Sequence, residues 1–195
     1  MSTQLVLAEH EPALALERDA TSRLERAVRQ SYQFIWRCLR RSGIRPDAAV
    51  DDAAQRVFEV AAKKRHLIEP GHERAFFFKT AMLVVVETKR EAHRRRETPD
   101  ERALLAELDP APGPDEAAEQ RRYRLMLDLA LDRLPMDLRA VFVLYELEGM
   151  ASAEAAELLE IPRGTVASRL KRARSRFCKE VRRLASPPRT NGAGR

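Results

Sequence analysis

The chain has 195 residues, of which 44% are hydrophobic and 34% charged, enough apolar side chains for small packed cores under a well-solvated surface. Glycine is scarce, while alanine, leucine, arginine and glutamate dominate, and this mix favours helices. The net charge of +6 indicates an anionic partner, although a solvated basic protein would carry the same charge. Cys38 and Cys178 lie far apart without metal-ligand spacing, which argues against a disulfide scaffold and a zinc site.

Residues 1–20, read as an extension before the first domain, include the polar run from Glu9 to Glu11 followed by Pro12, so we expect no secretory signal. The apolar run at residues 82–86 is far too short to span a bilayer. A cytoplasmic protein without membrane insertion is therefore expected.

Residues 21–96 are predicted to form one helical domain. Its first helix carries apolar side chains at helical spacing, namely Leu24, Val28, Tyr32, Ile35 and Leu39. Gly43 and Pro46 mark a break before a helix over about residues 48–64. Its inward positions are predicted as Val50, Ala54, Val57 and Ala61. A long helix over about residues 74–96 follows the next break, at Pro70 and Gly71.

Residues 97–120 combine eight acidic residues and one basic residue with four prolines. Prolines exclude the helical conformation for their predecessors, and like charges extend the chain. The segment is therefore predicted to be an acidic linker, although an exposed loop within one domain would have a similar composition. Beyond it, residues 121–184 divide into helices near 121–133, 137–148, 153–160 and 164–184, and residues 185–195 are expected to be a disordered tail. The predicted fold is all-α, with two small helical domains.

The second domain contains a predicted helix-turn-helix. An apolar helix ends at Gly149, a short helix rich in alanine follows, and a tight turn at residues 161–164 leads into a last helix. In that last helix, Val166, Leu170, Ala173 and Phe177 fall on one stripe that should pack inward. Between Arg163 and Arg183 there are nine basic residues and one acidic residue. A basic outer face on the second helix suits entry into the DNA major groove, although a solvated helix of a bundle could carry the same charges.

The motifs at residues 134–144 (LPMDLRAVFVL), 148–150 (EGM), 154–156 (EAA) and 164–174 (GTVASRLKRAR) resemble the C-terminal domain of extracytoplasmic-function (ECF) sigma factors of bacterial RNA polymerase. In that family the domain reads the −35 promoter element. Ala155 stands where the family often has a larger aliphatic residue. Together with the basic outer face, the resemblance gives these expected −35 contacts: Arg163, Thr165, Ser168, Arg169, Lys171, Arg172 and Arg176.

Residues 51–58 (DDAAQRVF) resemble the polymerase-binding helix of the same family, which binds the clamp helices of the β′ subunit. Asp51 and Gln55 lie one helical turn apart with Asp52 beside them, and this acidic face suits a basic partner. The resemblance implies polymerase contacts at Asp51, Asp52, Gln55 and Phe58, and a further contact of the protein with the β subunit. An acidic family position just upstream is Ala49 here.

The long helix near residues 74–96 resembles the family's promoter-melting segment, which reads the −10 element. Aromatic residues precede basic ones along it, and such a surface can hold an unpaired strand. The expected −10 contacts are Lys79, Lys89, Arg90 and Arg94. The chain departs from the family at Phe76, where tryptophan is usual, and at Met82 and Leu83, where a polar pair is usual.

The resemblance implies a non-enzymatic sigma factor whose partners are core RNA polymerase, promoter DNA and an anti-sigma factor, and whose linker passes through polymerase toward the RNA exit channel. Two other classes of protein compete with this interpretation. A DNA-binding regulator acting alone would bind its sites tightly without polymerase. An enzyme with an attached DNA-binding domain would need a catalytic constellation. The four histidines show no ligand spacing, and no phosphate-binding glycine loop or nucleophile motif is present, so we expect no catalytic residues, metal or cofactor.

Overall fold

The computed structural model describes residues 3–95 and 116–185, with side chains described for 19–95 and 119–185. These residues form helices and turns without any strand, which confirms the predicted all-α class. They divide into two compact units, the first built mainly from residues up to Lys89 and the second mainly from Arg90 onward. The predicted linker lies outside the described residues as far as position 115, and its last five positions are helical. Of the predicted tail, only Ala185 is described, and it ends the last helix.

The first unit consists of three α-helices and one short 3₁₀ turn. They are α1 (Thr3–Arg41), α2 (Asp47–Lys63), the 3₁₀ turn (Arg65–Leu67) and α3 (Glu73–Arg94). Helix α1 begins at Thr3, well before the start predicted near residue 21. The breaks fall where they were predicted, because Gly43 and Gly71 adopt positive φ angles of 100° and 88°.

The core of the first unit lies between α1, α2 and α3. All four predicted inward positions of α2 are buried, and so are Ile35 and Leu39 of α1 and Phe77 and Phe78 of α3. Val28 and Tyr32, which share the predicted stripe of α1, are only half-buried. The reason is a groove of about 560 Å³ between α1 and α2 that both residues line.

The second unit contains four α-helices and one turn of π-helix. They are α4 (Glu116–Asp132), α5 (Met136–Phe142), the π turn (Val143–Leu147), α6 (Ser152–Leu159) and α7 (Arg163–Ala185). The predicted helix over 137–148 is thus α5 continued by the π turn, in which the Glu148 N–H donates to the Val143 carbonyl at 2.9 Å. This bond spans five residues instead of four and widens the helix just before its end.

The core of the second unit joins α4, α5 and α7. One buried cluster comprises Leu131, Leu134, Leu138, Phe142 and Ala173. The rings of Phe142 and Phe177 pack with centroids 4.7 Å apart, and this contact fixes α7 against α5. Asp132 and Arg139 form an ion pair of 3.0 Å across the turn between α4 and α5. Helix α7 therefore packs on α4 and α5 through apolar side chains along its length, among them Ala173, Phe177 and Leu184.

Candidate functional site

Helices α6 and α7 form the predicted helix-turn-helix. Gly149 adopts a φ of 67°, the left-handed conformation that ends the preceding helical run. The Glu154 carboxylate then accepts a hydrogen bond of 2.9 Å from the Ala151 backbone N–H and closes the amino end of α6. At the other end of α6, the Ile161 N–H donates to the Ala156 carbonyl at 3.0 Å. Only three residues, 160–162, separate the two helices.

Helix α7 turns one stripe to the core and the opposite face to solvent. Val166, Leu170 and Ala173 are buried, and Phe177 is half-buried, as the predicted stripe requires. The outer face, hereafter the α7 outer face, consists of the exposed residues Gly164, Ser168, Lys171, Arg172 and Ser175. A Cβ atom built on Gly164 would meet nothing within 4 Å, so this face is unobstructed at its amino end.

The residues predicted to contact the −35 element fall into two groups. Exposed ones are Arg163, Ser168, Lys171, Arg172 and Arg176. Thr165 and Arg169 are half-buried. The Ser168 hydroxyl donates a hydrogen bond of 3.0 Å to the Thr165 carbonyl in the first turn of α7. Arg169 lies beside Asp137 of α5, with 3.6 Å between Nε and Oδ2.

A second arginine of α7 also has an acidic neighbour within the unit. The Arg174 Nε donates to Glu146 Oε1 at 2.6 Å, and its guanidinium lies 5.5 Å from the centroid of the Tyr145 ring. Arg169 and Arg174 stand on opposite flanks of the α7 outer face, because the five-residue interval rotates the helix by about 140°. The two flanks of α7 are thus tied to α5 and to the π turn, and the outer face lies between them.

An acidic face is exposed on α2 of the first unit, as the sequence predicts. Asp51, Asp52 and Gln55 are all exposed. The Gln55 amide donates to Glu59 at 2.8 Å, one turn further along. The face therefore offers carboxylate oxygens and few donors, a composition suited to a basic partner.

Sequence reasoning missed two aromatic residues of α1 that bind Asp51. The Trp36 indole N–H donates to Asp51 Oδ1 at 2.8 Å, and the Tyr32 hydroxyl donates to the same oxygen at 3.4 Å. Burial and the nearby Asp51 carboxylate raise the pKa of Tyr32 above its usual 10. Tyr32 and Trp36 are one turn apart in the sequence, but only the crossing of α1 and α2 shows that both reach Asp51.

Phe58, the fourth predicted polymerase contact, is half-buried between α1 and α3. Its ring stacks on Tyr32 with centroids 5.9 Å apart and meets Phe77 edge-on at 5.2 Å. It also lines the groove between α1 and α2, together with Val28 and Ala62. Phe58 therefore packs against Tyr32, which holds Asp51 of the acidic face, and presents only part of its ring to solvent.

Helix α3 places three of the four predicted −10 contacts at the surface. Lys79, Arg90 and Arg94 are exposed, whereas Lys89 is half-buried. Glu87 of the same helix pairs with Arg56 of α2 at 3.4 Å. Phe77 and Phe78 belong to the core, and only Phe76 of the three consecutive phenylalanines keeps partial exposure.

Neither a metal site nor a membrane-spanning helix is present in the part of the chain that the structure describes. No three side chains of histidine, cysteine, aspartate or glutamate come together there as metal ligands. None of the described helices is both long enough and apolar enough to cross a bilayer.

Comparison with known proteins finds sigma factors among the similar chains. The family description "Sigma-70, region 4" matches residues 124–177, which run from α4 through the helix-turn-helix. The chain is also 32% identical over 156 residues to the ECF RNA polymerase sigma factor SigE of Mycolicibacterium smegmatis, covering 77% of this chain and 58% of SigE. The chain is therefore similar to sigma factors at its helix-turn-helix and along most of its length. Its match to region 4 contains the whole α7 outer face.

A second relative is a probable RNA polymerase sigma factor of Xanthomonas campestris pv. campestris, RfaY. The two are 33% identical over 141 residues, which is 69% of this chain and 34% of RfaY. The chain thus spans less than two thirds of the length of either relative. Among solved structures, CnrH, which was determined in complex with the cytosolic domain of CnrY, shares the fold with a TM-score of 0.57 at 23% identity, over 87% of this chain and 96% of CnrH.

Proposed function

We propose that this protein is a non-enzymatic sigma factor that binds core RNA polymerase and directs promoter recognition, melting and transcription initiation. The observation that carries the proposal is the exposed acidic face of α2 in the same chain as a region 4 helix-turn-helix. A helix-turn-helix by itself would also suit a regulator acting alone. A regulator has no need of a second, acidic surface for a basic protein partner, whereas a sigma factor must bind polymerase as well as DNA.

The α7 outer face is the proposed reader of the −35 element. Lys171 and Arg172 are exposed there and can reach acceptor atoms of bases in the major groove. Arg163 and Arg176, also exposed, are placed to contact backbone phosphates on either side. Arg169 was expected among these contacts, but its ion pair with Asp137 supports a role in holding α7 in place.

The acidic face of α2 is the proposed site for the clamp helices of the polymerase β′ subunit. Asp52 and Gln55 point to solvent, and Asp51 is held by Trp36 and Tyr32, so the carboxylates are already oriented before a partner arrives. Preorganised polar groups lose little conformational entropy on binding. This orientation supports a specific protein contact in preference to a merely solvated face.

We expect Trp36→Phe to weaken association with core polymerase about three- to tenfold, because it removes one hydrogen bond that holds Asp51 and keeps an aromatic ring. Tyr32→Phe should have the smaller effect, since its hydroxyl lies 3.4 Å from the carboxylate. Fluorescence titration of labelled full-length chain with core polymerase measures both, with thermal unfolding as the check on folding. Unchanged affinity in Trp36→Phe would show that Asp51 does not need this donor.

Helix α3 is the proposed contact for the −10 region, through the exposed side chains of Lys79, Arg90 and Arg94. The two compact units support the proposed division into a polymerase-binding and −10-reading domain, residues 21–96, and a −35-reading domain, residues 121–184. We further propose that the β subunit contacts the protein, that an anti-sigma factor covers its polymerase-binding surface, and that it acts in the cytoplasm, where polymerase works.

The decisive test is transcription in a purified system, with the full chain, bacterial core polymerase free of other sigma factors, and a library of upstream DNA. Specific start sites that require the protein are expected, and their upstream sequences give both promoter elements. If the chain fails to associate with core but alone retains particular DNA sequences, it is a regulator and the account of α2 is wrong.

A further inference from the structure

Leu83 is one of the most exposed large apolar side chains among the described residues. It is 64% exposed in the middle of α3, and Met82 and Val86 beside it are half-buried. A single exposed leucine is common on protein surfaces. Here, however, three neighbouring apolar side chains share a partly exposed patch on a helix whose following turns are basic.

The surroundings of this patch favour a polyanion over an apolar protein partner. Arg90 follows Leu83 by seven residues and Arg94 follows it by eleven, so all three lie on one face of α3, and both arginines are exposed. Glu87, one turn beyond Leu83, pairs with Arg56 of α2 at 3.4 Å, which offsets its negative charge. An apolar spot followed by cations fits a nucleic-acid strand, with a base on the leucine and phosphates on the arginines.

Leucine can distinguish bases in only one way. It neither donates nor accepts hydrogen bonds, so the polar edges of the bases all lose a partner when they face it. Thymine alone among the DNA bases carries a methyl group, and apolar side chains select it by contact with that methyl.

We infer that Leu83, with Met82 and Val86, binds the methyl group of one thymine in the −10 region. The protein would then select thymine at that position by apolar contact instead of hydrogen bonding. The inference rests on the proposed function and names the chemistry of its −10 contact. Because the polar pair usual in the family is absent at Met82 and Leu83, this base would be read by a different interaction in this chain.

The test uses the full chain with core polymerase on a promoter obtained by selection. Each thymidine of the −10 region is replaced in turn by deoxyuridine, which removes only the methyl group of the base. We expect one position at which the replacement lowers initiation about fourfold, the value of one buried methyl-sized group. With the Leu83→Asn variant, initiation should no longer depend on the methyl group at that position. Promoters with thymidine and with deoxyuridine there should then initiate equally.

Leu67→Asn is the matched control, because Leu67 is 65% exposed in the 3₁₀ turn and the substitution is the same. With this variant, replacing thymidine by deoxyuridine should lower initiation as much as it does with the unchanged chain. Start sites without any methyl-sensitive position, or a sensitivity that persists in Leu83→Asn, would overturn this inference and leave the proposed function standing. Weaker core association in Leu83→Asn with an unaltered methyl effect would assign the patch to polymerase. A complete lack of start sites would overturn the proposed function, and this inference with it.

Discussion

Arg172→Ala should lower initiation at the selected promoter by about fivefold to more than a hundredfold while association with core polymerase stays unchanged. The guanidinium is exposed on the α7 outer face, and a good contact from arginine to a base is worth about 1–3 kcal/mol. Alanine keeps the helix intact, since it is the best helix former and the position faces solvent. Transcription assays with purified components give the first quantity, and titration with core polymerase gives the second.

The matched control for this substitution is Arg174→Ala, two positions further along the same helix. Arg174 already pairs with Glu146 and lies over the Tyr145 ring, so its removal should change initiation much less than the loss of Arg172. Equal losses in the two variants would mean that the net charge of α7 matters and not the geometry of its outer face. Loss of core binding in Arg172→Ala would contradict the assignment of α7 to DNA.

Asp52→Arg should reduce association with core polymerase by tenfold or more. Asp52 is exposed, so the change leaves the packing of α2 intact and places a positive charge against a basic partner. Close charge pairs across protein interfaces couple by about 1.5 kcal/mol or more, which corresponds to at least tenfold in affinity. The measurement is titration of the labelled chain with core polymerase at two salt concentrations, since screening should reduce the difference.

Glu69→Arg gives the same change of charge away from α2, at a carboxylate that is 83% exposed. It should bind core polymerase nearly as well as the unchanged chain. If both reversals weaken binding equally, polymerase responds to the overall charge of the protein, and the acidic face of α2 has no special part in the contact.

The fold was predictable because periodic apolar residues mark helices that bury one face. The inward positions of α2 and of α7 follow from that period alone. The long amino-terminal extent of α1 and the start of α4 at Glu116 were not predicted, because their first turns lack a strong apolar period. The π turn after α5 was also unpredicted, since a five-residue hydrogen bond depends on packing and leaves no period in the sequence.

The sequence could predict which candidate site residues are exposed, because exposure depends on the face of one helix. Asp52 and Arg172 are exposed on the faces that their spacing indicated. Contacts between helices could not be read from the sequence. The bonds from Trp36 to Asp51 and from Arg174 to Glu146 join residues 15 and 28 positions apart, and each depends on how two helices cross.

The pairing of Arg169 with Asp137 and of Arg174 with Glu146 has a consequence for how DNA binding responds to electrolyte. Each phosphate neutralised by a protein cation releases condensed counterions, and the affinity then falls with the logarithm of salt concentration, with a slope of about −0.9 per phosphate. An arginine whose charge is already balanced by a carboxylate releases fewer ions when it meets DNA. The salt slope of α7 will therefore be shallower than its nine basic residues suggest, and a count of contacts taken from that slope would leave out the arginines that hold the helix in place.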